Sequence, residues 1–349
     1  MSDVVVIGGG QAGLAAGYFL RRAGLDFVIL DDQKQPGGAW QHGWQSLRMF
    51  SPAQYSPLPG WPMPTQAGET FPTADHVVDY LQRYEERYEL PVHRSVSVTS
   101  VRRENERWIV DTNAGSRKAA AVISATGTWQ SPYLPYVPGQ ESFTGRQLHT
   151  VDYDSPELFA GQRVVVVGGG NSAAQILAEV STVAETLWVT RRPPRFMPDD
   201  VDGRVLFDVA TAREAACRSG RDHDGVTGLG DIVMVPPVRE ARDRGVLDPS
   251  PMFDRLTSTG VSWHDGREQQ CDAIIWCTGF RPHLSHLSGL RLTRDHGHPV
   301  TDGTRSIDHS GLHLLGYGDW TGLASATIIG ATRTAKPTVA EISARMTRA

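Results

Sequence analysis

Cysteine is scarce in this 349-residue chain: there are three, Cys217, Cys271 and Cys277, and no two of them form a C-x-x-C pair. That spacing excludes a dithiol redox motif and a cysteine zinc site, and no metal is expected. Long apolar runs are missing too, since nothing approaches the roughly 20 residues that a membrane span needs. Nor does charge of one sign dominate, because 34 Lys and Arg stand against 39 Asp and Glu, a formal balance of −5. Such a balance gives no electrostatic case for nucleic acid or an anionic membrane as partner. The first strand-like run follows directly on Met1-Ser2-Asp3, leaving no room for a signal peptide, and a cytoplasmic protein is the expectation. With 40 % hydrophobic and 21 % charged residues the composition is that of a globular protein, and the length calls for two domains.

What is present is a glycine loop in full context. Val4 to Ile7 reads as a buried strand that runs into Gly8-Gly9-Gly10-Gln11-Ala12-Gly13 and then into a small-residue helix. Gly8 permits the tight turn, Gly10 lets backbone approach a pyrophosphate, and Gly13 lets the helix pack on the strand, while free N–H groups at the helix start hold the anion. A second strand, Phe27 to Leu30, ends at Asp31, where a carboxylate meets a ribose hydroxyl. The pattern then recurs. Val164 to Val167 leads into Gly168-Gly169-Gly170-Asn171-Ser172-Ala173, a helix over 174–183, and a strand, Thr186 to Thr190, followed by Arg191-Arg192. By count, Asp31 and Arg191 each lie 23 residues beyond the first glycine of their loop. An acid there suits a free 2′-hydroxyl; a basic pair suits a 2′-phosphate.

Between and after the loops the chain carries further turns that bring backbone close to a ligand. Pro36-Gly37-Gly38-Ala39-Trp40 is one, and it is followed by an aperiodic proline- and aromatic-rich stretch, Leu47 to Pro64, of the kind that forms a lid or pocket wall. A helix with its apolar stripe at Val77, Val78, Leu81, Tyr84 and Tyr88 starts at Thr73 or Asp75. Three strand-like runs, at 96–101, 108–111 and 121–124, suggest a small antiparallel crossover that exits through Ala125-Thr126-Gly127. The same exit recurs after Ala273 to Trp276, as Cys277-Thr278-Gly279. The stretch 196–256 reads as an insertion that either roofs the active site or merely elaborates the surface. The tail, Leu312 to Leu315, then Gly316-Tyr317-Gly318-Asp319 and a helix over 324–345, completes the first domain. The expected architecture is α/β, with two Rossmann-like dinucleotide-binding domains: 1–155 with 281–349, and 156–280 inserted into it.

One stretch narrows this further. Phe143-Thr144-Gly145-Arg146-Gln147-Leu148-His149-Thr150-Val151-Asp152-Tyr153 matches F-x-G-x-x-x-H-x-x-x-(Y/F/W), and the chain resembles the class B flavin-containing monooxygenases. It is most similar to their short bacterial, ArsO-like members through FSPAQYSPLPGWPMP, GGGNSAAQILAEVSTVAET and LLGYGDWTGLASATIIGATR. The resemblance implies FAD held by Gly8, Gly10, Gln11, Ala12, Gly13 and Asp31, with Gly38, Ala39, Trp40, Met49, Ala125, Gly127 and Asp319 around the rest of it. It implies NADPH held by Gly168, Gly170, Asn171, Ser172, Arg191 and Arg192. The positions it makes candidates for catalysis are Phe50, Ser51, Asn171 and His149, His149 having a purely structural alternative. Many relatives carry an asparagine in the loop after the GGxW turn; here that place reads Met49-Phe50-Ser51-Pro52. The implied activity is that of a monooxygenase forming a flavin C4a-(hydro)peroxide from NADPH and O2, acting on a small sulfide, a ketone or a trivalent arsenical. The alternatives are an NAD(P)H oxidase that releases hydrogen peroxide, a disulfide reductase, which the missing dithiol opposes, and a flavin-binding sensor. A homodimer is compatible with this reading.

Overall fold

The computed structural model of the protein describes residues 2–201, 203, 205 and 231–348. Cys217 and the middle of the expected insertion lie outside the described residues. Two compact units are found: 1–41, 52–131 and 282–349 in the first, 42–51 and 132–281 in the second.

The first unit runs β1 (Ser2–Ile7), α1 (Gln11–Arg22), β2 (Phe27–Leu30), α2 (Ala74–Arg87), β3 (Val92–His93), β4 (Val98–Glu104), β5 (Arg107–Thr112) and β6 (Gly115–Ser124). Strand β1 can be apolar throughout because it is interior: β2 pairs with it in parallel on one side and β6 on the other, and Val4, Val5 and Val6 have no exposed surface. A further parallel strand, Leu312–Leu314, extends the sheet beyond β6, and β3 closes the other side. The expected antiparallel crossover is formed by β4, β5 and residues 115–119 of β6, whereas the run expected as its third strand, 121–124, is the second half of β6 and pairs in parallel with β1. Thr73 caps α2, its hydroxyl accepting the His76 N–H at 3.2 Å. The last helix begins at Ile328, four residues later than its composition suggests. Ala324 stands at φ 56°, and the Thr327 hydroxyl accepts the Gly330 N–H at 3.0 Å, which makes 324–327 a turn and cap.

The second unit contains β7 (Arg146–His149), β8 (Arg163–Val167), α3 (Asn171–Val180), β9 (Glu185–Thr190), β10 (Pro249–Pro251) and β14 (Ala273–Trp276), with a small antiparallel sheet from β11 (Arg255–Leu256), β12 (Gly260–Ser262) and β13 (Glu268–Gln270). The main sheet is wholly parallel in the order β10-β9-β8-β14-β7. Two expectations change here. The boundary placed at 155 falls at 131, because β7 pairs along its whole length with β14, and residues 42–51 also join this unit. Part of the supposed insertion belongs to the nucleotide fold itself. The helix Pro236–Asp243 buries Val238 and Ala241 in one core with α3, and β10 adds an edge strand beside β9.

Candidate active site

Each unit has its switch point where the strand order reverses, between β1 and β6 in the first and between β8 and β14 in the second, and ligands bind outside the carboxyl ends of such strands. A glycine loop sits at both. Gly8 has φ 104° and Gly168 φ 145°; a Cβ on Gly8 would lie 2.4 Å from the Ala125 carbonyl oxygen, and one on Gly168 2.3 Å from that of Cys277. The recurring Ala125-Thr126-Gly127 and Cys277-Thr278-Gly279 exits are therefore the walls against which the two loops turn. Gly10 and Gly170 are the N-caps of α1 and α3, neither helix has a side-chain cap or an acid in its first turn, and the initial N–H groups remain for an anion.

Around the first loop the structure gathers Gly38, Trp40, Gln11, Ala12 and Asp31. A Cβ on Gly38 would stand 2.8 Å from the Gly10 Cα, so these two bare backbones are packed face to face. Trp40 Nε1 donates to Gln11 Oε1 at 3.0 Å, and Gln11 Nε2 donates to the Ala326 carbonyl at 2.5 Å, tying the GGxW turn, the helix start and the C-terminal turn together. Gly316 lies beside Ala12, which brings the Gly316-Tyr317-Gly318-Asp319 loop to the same helix end; Asp319 itself is exposed and accepts the Ala324 N–H at 3.0 Å. Tyr317, behind it, places its hydroxyl on Ser124 at 2.6 Å and Thr126 at 2.8 Å, and Ser124 also meets His286 at 3.0 Å. Burial takes the His286 imidazole down to about 4.

Asp31 is buried, directly under Gly9, whose N–H it accepts. Its carboxylate also pairs with Arg94, whose guanidinium reaches Glu85 with its other arm. Burial raises the proton affinity of both acids, and Arg94 opposes that rise. Sequence reasoning missed Arg94 and Glu85, which lie far along the chain from Asp31 and carry no motif.

In the second unit the strand register corrects the count that equated Arg191 with Asp31. Ile7 pairs with Leu30, but Val167 pairs with Val189, so the second connection is one residue shorter. Thr190 thus occupies the place of Asp31, buried under Gly169, and Arg191 and Arg192 follow as exposed side chains. Asn171, the first residue of α3, accepts the Val233 N–H on Oδ1 at 2.8 Å, and Ser172 after it is half-buried. Phe50 packs against Met197, Val201 and Val233, and its carbonyl accepts the Gly203 N–H at 2.7 Å; Cα and Cβ of Ser51 border Gly203. Phe50, Ser51 and Asn171 are thereby brought to one region, with Met49 buried next to them in the chain.

His149 lies elsewhere, at the end of β7. Its Nε2–H donates to the Gly279 carbonyl at 3.0 Å, Nδ1 accepts the Val151 N–H at 3.3 Å, and burial pulls its pKa below the ordinary imidazole range. Both nitrogens are committed, so the geometry gives His149 a structural task. The rest of the signature has the same character. Phe143 is buried, a Cβ on Gly145 would strike the Asp272 carbonyl oxygen at 2.6 Å, and the Tyr153 hydroxyl donates to Glu179 of α3 at 2.9 Å. Cys271 and Cys277 are free, and burial pushes the Cys277 thiol up to about 12. Among the described residues no group of His, Cys, Asp and Glu is arranged to hold a metal, and no helix is long and apolar enough to cross a membrane.

Residues 5–210 match the family described as pyridine nucleotide-disulphide oxidoreductase. A flavin-containing monooxygenase from Stenotrophomonas maltophilia is 52 % identical and superposes with a TM-score of 0.90, covering 99 % of both chains. An uncharacterized CzcO-like oxidoreductase of Geobacillus kaustophilus is 30 % identical over 94 % of each. The bacillithiol disulfide reductase of Bacillus cereus, at 17 % identity and a TM-score of 0.75 over 99 % of both chains, shares the fold. With its two glycine loops at two parallel switch points, the chain belongs to the pyridine nucleotide-disulphide oxidoreductase family and, within it, to the flavin-containing monooxygenases.

Proposed function

We propose that the first unit holds FAD, that the second holds NADPH, and that the protein oxygenates a small soft substrate. The carrying observation is the pair of uncapped helix N-termini at parallel switch points, one over a buried acid and the other over a strand end, Thr190, that the chain follows with two exposed arginines. The first site fits FAD. Gly10 faces open space apart from the Gly38 Cα at 3.8 Å, Asp31 is fixed for a ribose hydroxyl, and the Trp40–Gln11–Ala326 chain holds the surrounding turns. The second fits NADPH through Gly170, which has nothing within 4 Å of a built Cβ, and through Arg191 and Arg192, whose charge suits a 2′-phosphate. When bound, the reduced flavin activates O2, a chemistry that serves sulfides, ketones and trivalent arsenicals alike.

The chain's own share is to bind, orient and exclude water. Asp319 would lie toward the ribityl portion of FAD, with Ala39, Ala125 and Gly127 near its remaining length. Asn171, Phe50 and Ser51 are the candidates for the reacting end, and the phenyl ring of Phe50 brings no hydrogen-bonding group to it. That observation favours a second reading, in which much of the NADPH is spent on hydrogen peroxide. The test is product analysis after aerobic turnover with NADPH and, in turn, a thioether, a cyclic ketone and arsenite, with peroxide counted against NADPH. Oxygenated product in proportion to NADPH consumed supports the monooxygenase; peroxide equal to NADPH with every substrate supports the oxidase.

A further inference from the structure

The two glycine loops are alike in sequence but differ at one carbonyl. In the first, Gly8 O lies so close to Gly13 that a Cβ there would be 1.9 Å away. The second loop has Ala173 at the matching position, a real side chain that is 1 % exposed, so the Gly168 carbonyl cannot point as Gly8's does. The backbone turns accordingly, to φ 145° instead of 104°. An unpaired carbonyl turned into partly buried surroundings is costly, and here it has a partner: Trp188 Nε1 donates to Gly168 O at 2.7 Å. In the first unit the register puts Ile29 opposite Val6, as Trp188 stands opposite Val166, and an isoleucine donates nothing. Gly13 goes with Ile29 and Ala173 with Trp188, a matched exchange inside one molecule. The remaining contacts are shared, since Gly8 N–H donates to Leu30 O at 2.8 Å and Gly168 N–H to Val189 O at 2.9 Å.

We propose that Trp188 is a positioning residue for the pyridine nucleotide, acting through the Gly168 carbonyl. A peptide group is planar and trans, so holding the carbonyl of Gly168 on the indole side holds the N–H of Gly169 on the other. That peptide leads directly into Gly170 and the uncapped start of α3, so its setting fixes where the helix N–H groups for a pyrophosphate lie. Trp188 also shares β9 with Thr190, so one strand sets the loop and leads into Arg191 and Arg192. The inference rests on the assignment of NADPH to the second unit and adds a residue that binds no nucleotide itself.

The experiment titrates FAD-loaded protein with NADP⁺ and NAD⁺ by calorimetry, beside thermal melts and flavin content. Trp188→Phe keeps an aromatic ring and loses the donor; both nucleotides should bind about threefold to tenfold more weakly, the worth of one neutral hydrogen bond, with flavin content as in the wild type. In an Ala173→Gly background the carbonyl is free to adopt the first loop's direction, and the same substitution should cost distinctly less. A role in packing alone lowers the melting temperature and leaves the dissociation constants, or shifts them equally in both backgrounds; either result overturns the inference. If Trp188→Phe does not fold, Ala173→Val presses on the same carbonyl from the other side, and unchanged nucleotide binding there overturns it as well. Wild-type holoprotein that binds neither nucleotide removes the coenzyme assignment itself, and the inference with it.

Discussion

Replacing Arg94 with methionine removes the one cation shared by two buried acids. The side chains of Asp31 and Glu85 are 5 % and 17 % exposed, and that of Arg94 is 18 % exposed. Removing one partner of a buried ion pair costs about 3–5 kcal/mol, and the partial exposure of Arg94 and Glu85 brings this to about 2–4 kcal/mol at neutral pH. At about 2–4 °C per kcal/mol for a unit of 150–250 residues, the melting temperature should fall by roughly 5–15 °C. The pH dependence gives the sharper signature. Burial already lifts both carboxyls above their ordinary range against the pull of Arg94, and without the guanidinium they rise further. An acid whose folded pKa lies above its unfolded one binds more protons when folded, so its stability deficit is absent at low pH and grows as pH rises through the folded value. Thermal melts of wild type and Arg94→Met from pH 4 to 8 should therefore converge in acid and separate towards neutrality, and adding Glu85→Gln should narrow the gap. A difference in melting temperature that does not change with pH would refute the account, since lost packing alone has no such dependence.

Gly10→Val should give folded protein without FAD, because a built Cβ meets only the Gly38 Cα at 3.8 Å while the larger side chain enters the ligand face; flavin absorbance and the melt together check this. Exchanging Arg191 and Arg192 for neutral residues should raise KM for NADPH about tenfold while changing that for NADH little, since a charge-assisted bond to an exposed phosphate falls at the lower end of its range; equal effects on both coenzymes would count against a phosphate site. His286, held neutral with its pKa at about 4, binds protons more readily when unfolded, so its contribution is complete above the ordinary imidazole value near 6.5 and is lost as pH falls towards 4. His286→Gln should accordingly flatten the decline of melting temperature over that interval.

The glycine loops and their strands were legible because every part of the signal is local: strand, turn and helix succeed one another within about 30 residues. What escaped is what depends on pairing at a distance. Arg94 reaches Asp31 through the sheet order that sets β3 beside β2, and β7 belongs to the second unit because it pairs with β14, neither of which is written in the neighbouring sequence. The equivalence of Arg191 with Asp31 failed for a different reason. Counting from the glycine assumes connections of equal length, and a connection shorter by one residue moves Thr190 into that place. Trp188 did leave a signal, an alanine where the first loop has glycine, but the signal acquires meaning only when the facing strand is known. The motif around His149 was legible as a family mark, whereas its task, gripping Gly279 and α3, required the fold.

The first unit's chain breaks off at Ser131 and resumes at Pro282, and these two ends lie close together. Ser131 Oγ and His283 Nδ1 are 2.9 Å apart, and the His283 N–H donates to the Gly127 carbonyl at 2.9 Å, so the first unit's chain ends meet like the two sides of a closed clasp. During synthesis the second unit has its last sheet strand once residue 276 has left the ribosome. The first still lacks Leu312–Leu314, which pairs with β6, and must wait with an exposed apolar edge. The order of maturation is thus the reverse of the order of the units' first residues. Nascent chains stalled so that the emerged part ends shortly after residue 281, with Leu312–Leu314 still inside the ribosome, should carry a protease-resistant inner unit inside a still-digestible outer one.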